Sequence, residues 1–269
     1  MSDRGASPFR GIMGIVNATP DSFSDGGETL APEKAAEKAM RLVAEGAAII
    51  DLGGESTKPG AAEVSEEEEA RRLLPALRAI RGVVDVPISI DTRRASVAAR
   101  SLELGADIIN DVSSLGDPDM ARVVAESGAW LVLMHGYGEH VAGRGIVRDA
   151  AGRIVADGHI GIEDVVRYLE ERISFAEAAG IERGKMSVDP GLGFGKTNAE
   201  SAEILRGVAE LKRLGLPIVV GASRKRFLAD LAEARGAKSR DEASRIAAEM
   251  AIARGADVVR VHEVCGLKF

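Results

Sequence analysis

The chain has 269 residues, 45% of them hydrophobic and 29% charged, with a formal net charge of −7. This is a globular composition with core material for one large domain, and the acidic balance speaks against nucleic acid or an anionic membrane as partner. A single cysteine, Cys265, excludes an internal disulfide and a cysteine-built metal site, as expected in a reducing cytoplasm; the start, MSDRGASPFRG, lacks the apolar stretch of a secretory signal, and no apolar run approaches the ~18 residues of a membrane helix.

In chain order, short apolar runs alternate with amphipathic stretches. Strands are predicted at 11–17, 47–53, 87–92, 107–112, 129–135, 185–190, 217–222 and 257–262, and helices at 31–45, 65–81, 94–104, 118–127, 161–179, 199–214 and 226–254, the last broken around Arg235–Lys238. Helix starts are legible: Ser65-x-x-Glu68 and Ser239-x-x-Glu242 read as capping boxes, and Asp117-Pro118 as an N-cap followed by proline at the first helical position. Helix ends repeat one phrase, in Glu45-Gly46-Ala47, Leu104-Gly105-Ala106, Ser127-Gly128-Ala129 and Arg254-Gly255-Ala256, where glycine takes the left-handed position and a strand follows. Strands apolar almost throughout, alternating with helices, give a parallel sheet covered on its outside, and eight of them favour closure into a (β/α)₈ barrel. No linker interrupts residues 1–269, read as a single domain.

Three long connections, 18–30, 54–64 and 136–160, all follow strands, and the last carries a candidate hairpin at Ile146–Val155. The connections on the other face are short, the asymmetry of a barrel enzyme. After the last strand only Glu263–Phe269 remain, too few for an eighth helix, which is expected to be short or absent. Its place would then be covered by a partner or an N-terminal element, unless the chain is cut short.

Nearly every strand ends in a polar side chain, at the place where parallel barrels put their active sites. Asn17, Asp51, Asp91, Asn110, His135, Asp189, Arg260 and His262 close or follow the strands, and Ser223, Arg224 and Lys225 follow the seventh. Asp91, Asn110 and Asp189 supply two carboxylates and an amide without a histidine cluster, which suits a heterocycle presenting both donors and acceptors. The plainer alternative is helix capping, with most force for Asp91, beside a helix start. Gly53–Gly60, with Thr57 and Lys58, offers backbone amides, hydroxyls and a cation to an anion. Three cations in Gly221–Arg226 at a helix start oppose the helix dipole and so point to an anion. Arg260 and His262, two apart on one strand, face the same side and can hold a phosphate. A lone histidine is more often structural, which leaves His135 without a role.

The segments GIVNATPDSFSDGG, IIDLGGESTKPGA, ISIDT, IINDVS, DPGLGFGKT, GASRKRF and RVHEV, one per strand over roughly residues 11–264, resemble dihydropteroate synthases. The resemblance implies condensation of 6-hydroxymethyl-7,8-dihydropterin pyrophosphate with p-aminobenzoate, a Mg²⁺ ion, small-molecule substrates only, a sulfonamide target and a homodimer. By motif, Asn17 meets the metal and the pyrophosphate. Thr57, Lys58, Pro59 and Phe194 fall near the incoming amine. Asp91, Asn110, Asp189 and Lys225 hold the pterin, and Arg260 and His262 grip the pyrophosphate, Arg260 also flanking the ring. Asn17, Asp91, Lys225, Arg260 and His262 are thereby the expected catalytic set. Three features depart from the family. Lys58 stands where arginine is usual, a point charge replacing a planar fork and leaving the sulfonamide response open. Met134-His135-Gly136 lacks a second methionine and the 136–160 loop is long, and the final helix is missing, which leaves the oligomeric state open because dimers of the family pack through the late helices. The alternatives are a methylfolate–corrinoid methyltransferase on the same barrel, against which the SRK and TPDSFSDGG elements speak, and a non-catalytic pterin-binding paralogue, against which the retained Asn17, Lys225, Arg260 and His262 speak.

Overall fold

A computed structural model describes residues 7–18, 31–55, 64–136, 140–141, 144–145, 158–229, 233, 236–237 and 239–269. The barrel strands are β1 (Gly11–Asn17), β2 (Ala47–Gly53), β3 (Ile88–Asp91), β4 (Ile108–Asp111), β5 (Trp130–Met134), β8 (Met186–Asp189), β9 (Val219–Val220) and β10 (Val258–Val261). A two-stranded antiparallel ribbon, β6 (His140–Val141) with β7 (Arg144–Gly145), lies between β5 and β8. The expected hairpin at 146–155 lies outside the described residues; the ribbon precedes it. The sheet runs β8-β5-β4-β3-β2-β1-β10-β9, with parallel barrel pairings throughout. A parallel bridge from Val188 to Ile218 closes the ring, so the fold is the expected (β/α)₈ barrel.

The helices are α1 (Pro32–Ala44), α2 (Glu66–Arg81), α3 (Ala95–Glu103), α4 (Met120–Ser127), α5 (Ile162–Ala178), α6 (Asn198–Arg206) and α7 (Arg240–Ala253). α2 and α7 begin where their serines predict: Ser65 accepts from the Glu68 amide and Ser239 from the Glu242 amide. The Thr197–Glu200 pair of α6 forms the reciprocal box. The predicted helix 199–214 is α6 followed by a 3₁₀ run, Val208–Leu214. Asp117 does not cap α4. Its carboxylate instead accepts from Asp119 N (3.0 Å) and, across the fold, from Ala95 N at the start of α3 (2.9 Å). The repeated glycine phrase behaves as read, with Gly46, Gly105, Gly128 and Gly255 all at positive φ.

Strand alternation divides the apolar side chains into two clusters. The outward set, including Val16, Ile50, Leu52, Ile90, Leu133, Val188, Val220 and Val259, packs under the helices. The inward set, Met13, Ile49, Ile108, Val132, Val219 and Val258, fills the barrel with Phe9, whose ring meets Trp130 edge-on at 5.8 Å. A closed barrel has no lumen to spare, so this inner cluster is a packed floor. No helix follows β10. Val264 is buried, Leu267 packs against the core, and the Glu263 carboxylate reaches Arg41 of α1 (3.5 Å) and Arg224 (3.2 Å). Among the described residues, no helix is long and apolar enough to cross a membrane.

Candidate active site

The polar strand-end residues belong to the inward alternation. Asp51 follows Ile49 on β2, Asn110 follows Ile108 on β4, Arg260 follows Val258 on β10, and Asp91 and Asp189 follow the inward Ser89 and Ser187. Asn17, at the end of β1, keeps the parity of Met13. Register brings Asn17 beside Gly53, Gly53 beside Asp91 and Asp91 beside Asn110. One layer above the apolar floor therefore gathers acid, amide and guanidinium groups.

Arg260 is the centre of that layer. Its Nε donates to Asp51 Oδ2 (2.6 Å) and its Nη2 to Asp91 Oδ2 (2.7 Å). Asn110 Nδ2 approaches Asp51 Oδ1 at 3.5 Å, the long limit of a hydrogen bond. Asp51 is fully buried, so this arginine is held by a carboxylate that solvent does not reach. Burial works against the charge of Arg260, but Asp51 and Asp91 outweigh it and raise its pKa. One guanidinium cannot satisfy both carboxylates. Burial, opposed by Arg260 and reinforced by Asp51, pushes Asp91 up to about 7. Asp91 Oδ1 is buried with no hydrogen-bond partner among the described residues. A buried carboxylate oxygen in that condition is a place for a ligand donor.

The capping alternative for Asp91 fails. The start of α3 is served by Thr92 Oγ1, which accepts from Arg94 N (3.2 Å), and by Asp117. For Asp189 it holds in part, since Oδ1 accepts from Gly191 N (2.6 Å) and fixes the following turn. Burial raises the Asp189 pKa against the pull of Lys225. Lys225 is lowered to about 8 by burial, with Asp189 opposing. Its Nζ donates to the Leu192 carbonyl and lies 4.6 Å from the centroid of the Phe194 ring, so the two predicted residues Phe194 and Lys225 meet.

The segment Gly221–Arg226 is itself a turn, with Arg224 at φ 59°, but helical backbone follows at once, at 228–229 and 233, and α7 begins at Arg240, so the predicted helix and its break near 235–238 are both present among the described residues. Arg224 points away to Asp241 (2.7 Å) and Glu263, and Lys225 alone of the three cations turns toward Asp189 and Arg260. His262, just past β10, lies against Ser223: Oγ to Nδ1 is 2.9 Å. Thr57, Lys58 and Pro59 lie outside the described residues.

His135 is explained by parity. It shares the outward alternation of Leu131 and Leu133, and its ring packs edge-on against Tyr168 of α5 at 4.9 Å. Neither ring nitrogen has a partner among the described residues, and burial followed by nearby Lys196 pushes its pKa down to about 2. It is a neutral packing residue. Its backbone carbonyl instead accepts from Lys196 Nζ (3.2 Å), which also binds the carbonyls of Gly191 (2.9 Å) and Phe194 (3.1 Å). A Cβ on Gly191, at φ 62°, would stand 1.8 Å from the His135 oxygen, so this close approach requires glycine.

Two contributors escape a motif-based reading. Asp51 closes an apolar run as the others do, and that was its only signal. Lys196 follows a glycine-rich turn and gives no sign that its ammonium is buried.

The fold and this layer define a (β/α)₈ barrel with a polar site at its strand ends, and the sequence profile described as "Pterin binding enzyme" matches residues 13–262: the chain belongs to that family. Within it the resemblance is to dihydropteroate synthases. The chain is 40% identical over 254 residues to the Dihydropteroate synthase of Synechocystis sp., covering 94% of this chain and 85% of that protein. It is 46% identical to the Probable bifunctional folylpolyglutamate synthase/dihydropteroate synthase of Haloferax volcanii, with 94% of this chain matched but only 29% of that larger protein spanned. Among solved structures, the Xanthomonas albilineans Dihydropteroate synthase with 4-aminobenzoic acid superposes with a TM-score of 0.82 at 39% identity, covering 95% of this chain and 88% of that one. These relatives place the chain among the transferases of folate biosynthesis.

Proposed function

We propose that the barrel joins 6-hydroxymethyl-7,8-dihydropterin pyrophosphate to p-aminobenzoate, giving 7,8-dihydropteroate and pyrophosphate. The observation that carries the reading is the Asp51–Arg260–Asp91 layer with its unpartnered, buried Asp91 Oδ1, in a chain of this family. Asp91, Asn110 and Asp189 take the donor-rich edge of the pterin. Lys225 and Arg260 flank the ring and meet its acceptors. Among the described residues, Arg260 Nη1 is the guanidinium nitrogen that neither carboxylate engages, and it remains to face the substrate.

The amine nitrogen forms a bond to the pterin methylene carbon as the carbon–oxygen bond breaks. The electron pair leaves with the pyrophosphate and the amine proton is released. No side-chain nucleophile is needed. The protein holds two substrates in line, excludes water and stabilises charge on the leaving oxygens. Arg260 and His262 serve the leaving group, and Phe194, beside Lys225, lines the side from which the amine enters. Thr57, Lys58 and Pro59 are assigned to that same side by motif.

Among the described residues, no three His, Cys, Asp or Glu side chains converge as a metal site. Mg²⁺ commonly keeps several waters and binds through substrate phosphates with one or two protein oxygens, and Asn17 at the mouth fits that role. When bound, the ion would neutralise charge on the departing pyrophosphate. The test is Mg²⁺-dependent pyrophosphate release from the two substrates with purified chain. Release above the enzyme-free control is expected; none would refute the reading.

A further inference from the structure

Ser223 has two partners among the described residues, and both belong to His262. The backbone amide of His262 donates to Ser223 Oγ (3.3 Å), and the same oxygen lies 2.9 Å from His262 Nδ1. The serine is largely buried. Its position is also rigid. The next residue, Arg224, is at φ 59°, its amide donates to Ser244 Oγ (2.8 Å), and its guanidinium is paired to Asp241 and Glu263. The turn that carries Ser223 is thus anchored to α7 on one side and to the C-terminal segment on the other.

A hydroxyl has one proton to give and two lone pairs. One lone pair of Ser223 is occupied by the His262 amide. Among the described residues, the acceptor in reach of its proton is Nδ1. A ring nitrogen that accepts cannot carry a proton, so the neutral imidazole must carry it on Nε2. The geometry points to Ser223 as a positioning residue that holds His262 in the Nε2–H form, so that the neutral ring offers an N–H donor to a phosphate oxygen of the leaving group. The assignment of that oxygen rests on the proposed function; the tautomer does not. The same turn places Lys225 two residues further on, so one short segment serves two sides of the site.

The experiment reads both. Imidazole ¹⁵N spectra of the full chain, without substrate, distinguish the two tautomers, and His262→Gln identifies the signal among four histidines. Inhibition by inorganic pyrophosphate is then compared in wild type, Ser223→Ala and Ser223→Thr, with binding of pyrophosphate-free hydroxymethyl dihydropterin as the reference. We expect an Nε2–H signal for His262 that loses its fixed tautomer in the alanine variant. We also expect pyrophosphate inhibition about tenfold weaker in that variant, restored by threonine, with pterin binding unaltered. An Nδ1–H signal in wild type would overturn the inference, as would an alanine variant that binds pyrophosphate like wild type. A wild-type chain with the Nε2–H signal that releases no pyrophosphate from its substrates would instead refute the functional reading alone.

Discussion

The inside of the barrel changes character along its length while the strands and their alternation stay the same. Its lower part is Met13, Ile49, Ile108, Val132, Val219 and Val258, closed by Phe9. One inward position further along, the same strands present Asp51, Asn110 and Arg260, with Asp91 and Asp189 beside them. The lower part is held by burial of apolar surface, which tolerates any group of the right shape. The upper part puts carboxylates and a guanidinium where water is scarce, which is costly unless the charges meet. A fold that accepts this cost at one level only has reserved that level for something other than stability. The difference teaches that function here is a matter of height along a strand.

Substitutions on either side of that boundary should separate the two roles. Arg260→Ala leaves Asp51 and Asp91 buried without their cation. It should lower stability by about 3–5 kcal/mol in urea titration and abolish turnover together. Met13→Ala, lower in the same barrel, should lower stability by about 2–5 kcal/mol yet leave turnover per folded molecule unaltered. If Met13→Ala removed activity from folded protein, the division between floor and mouth would fail.

The upper layer should also titrate where the floor cannot. Asp91 is pushed up to about 7 by burial, so it is ionised above that value and protonated below it. As an acceptor for pterin donors, it makes affinity rise with pH through about 7. Lys225 is lowered to about 8, chiefly by burial, and loses its charge above that value, so affinity should fall again on the alkaline side. Binding measured across pH should be bell-shaped, and Asp91→Asn should be weaker and lose the acid limb. An unchanged acid limb in that variant would move the titration to another group. The smallest effect is expected outside the barrel wall. His135→Phe keeps a ring against Tyr168 and removes two unpartnered nitrogens, so it should cost less than about 1.5 kcal/mol and leave the rate unaltered.

The barrel was legible because its signals are local and repeated. Glycine after each helix, serine before α2 and α7, and unbroken apolar strands need no knowledge of the rest of the chain. Where the reading failed, a distant partner had intervened. Asp117 looks like a cap for its own helix but reaches Ala95 of the preceding one. The site followed the same rule. The strand ends announced Asp91, Asn110, Asp189 and Arg260, whereas the weight of Asp51 becomes visible only once β10 lies near β2 across β1. Alternation also explains His135, which stands at a strand end like the others but on the outward side.

The most direct test is calorimetric binding of hydroxymethyl dihydropterin to Asp189→Ala beside wild type, with the melting temperature of each. If the upper layer reads the pterin, the variant should stay folded and lose measurable pterin binding. A folded variant that binds the pterin as tightly as wild type would contradict that claim.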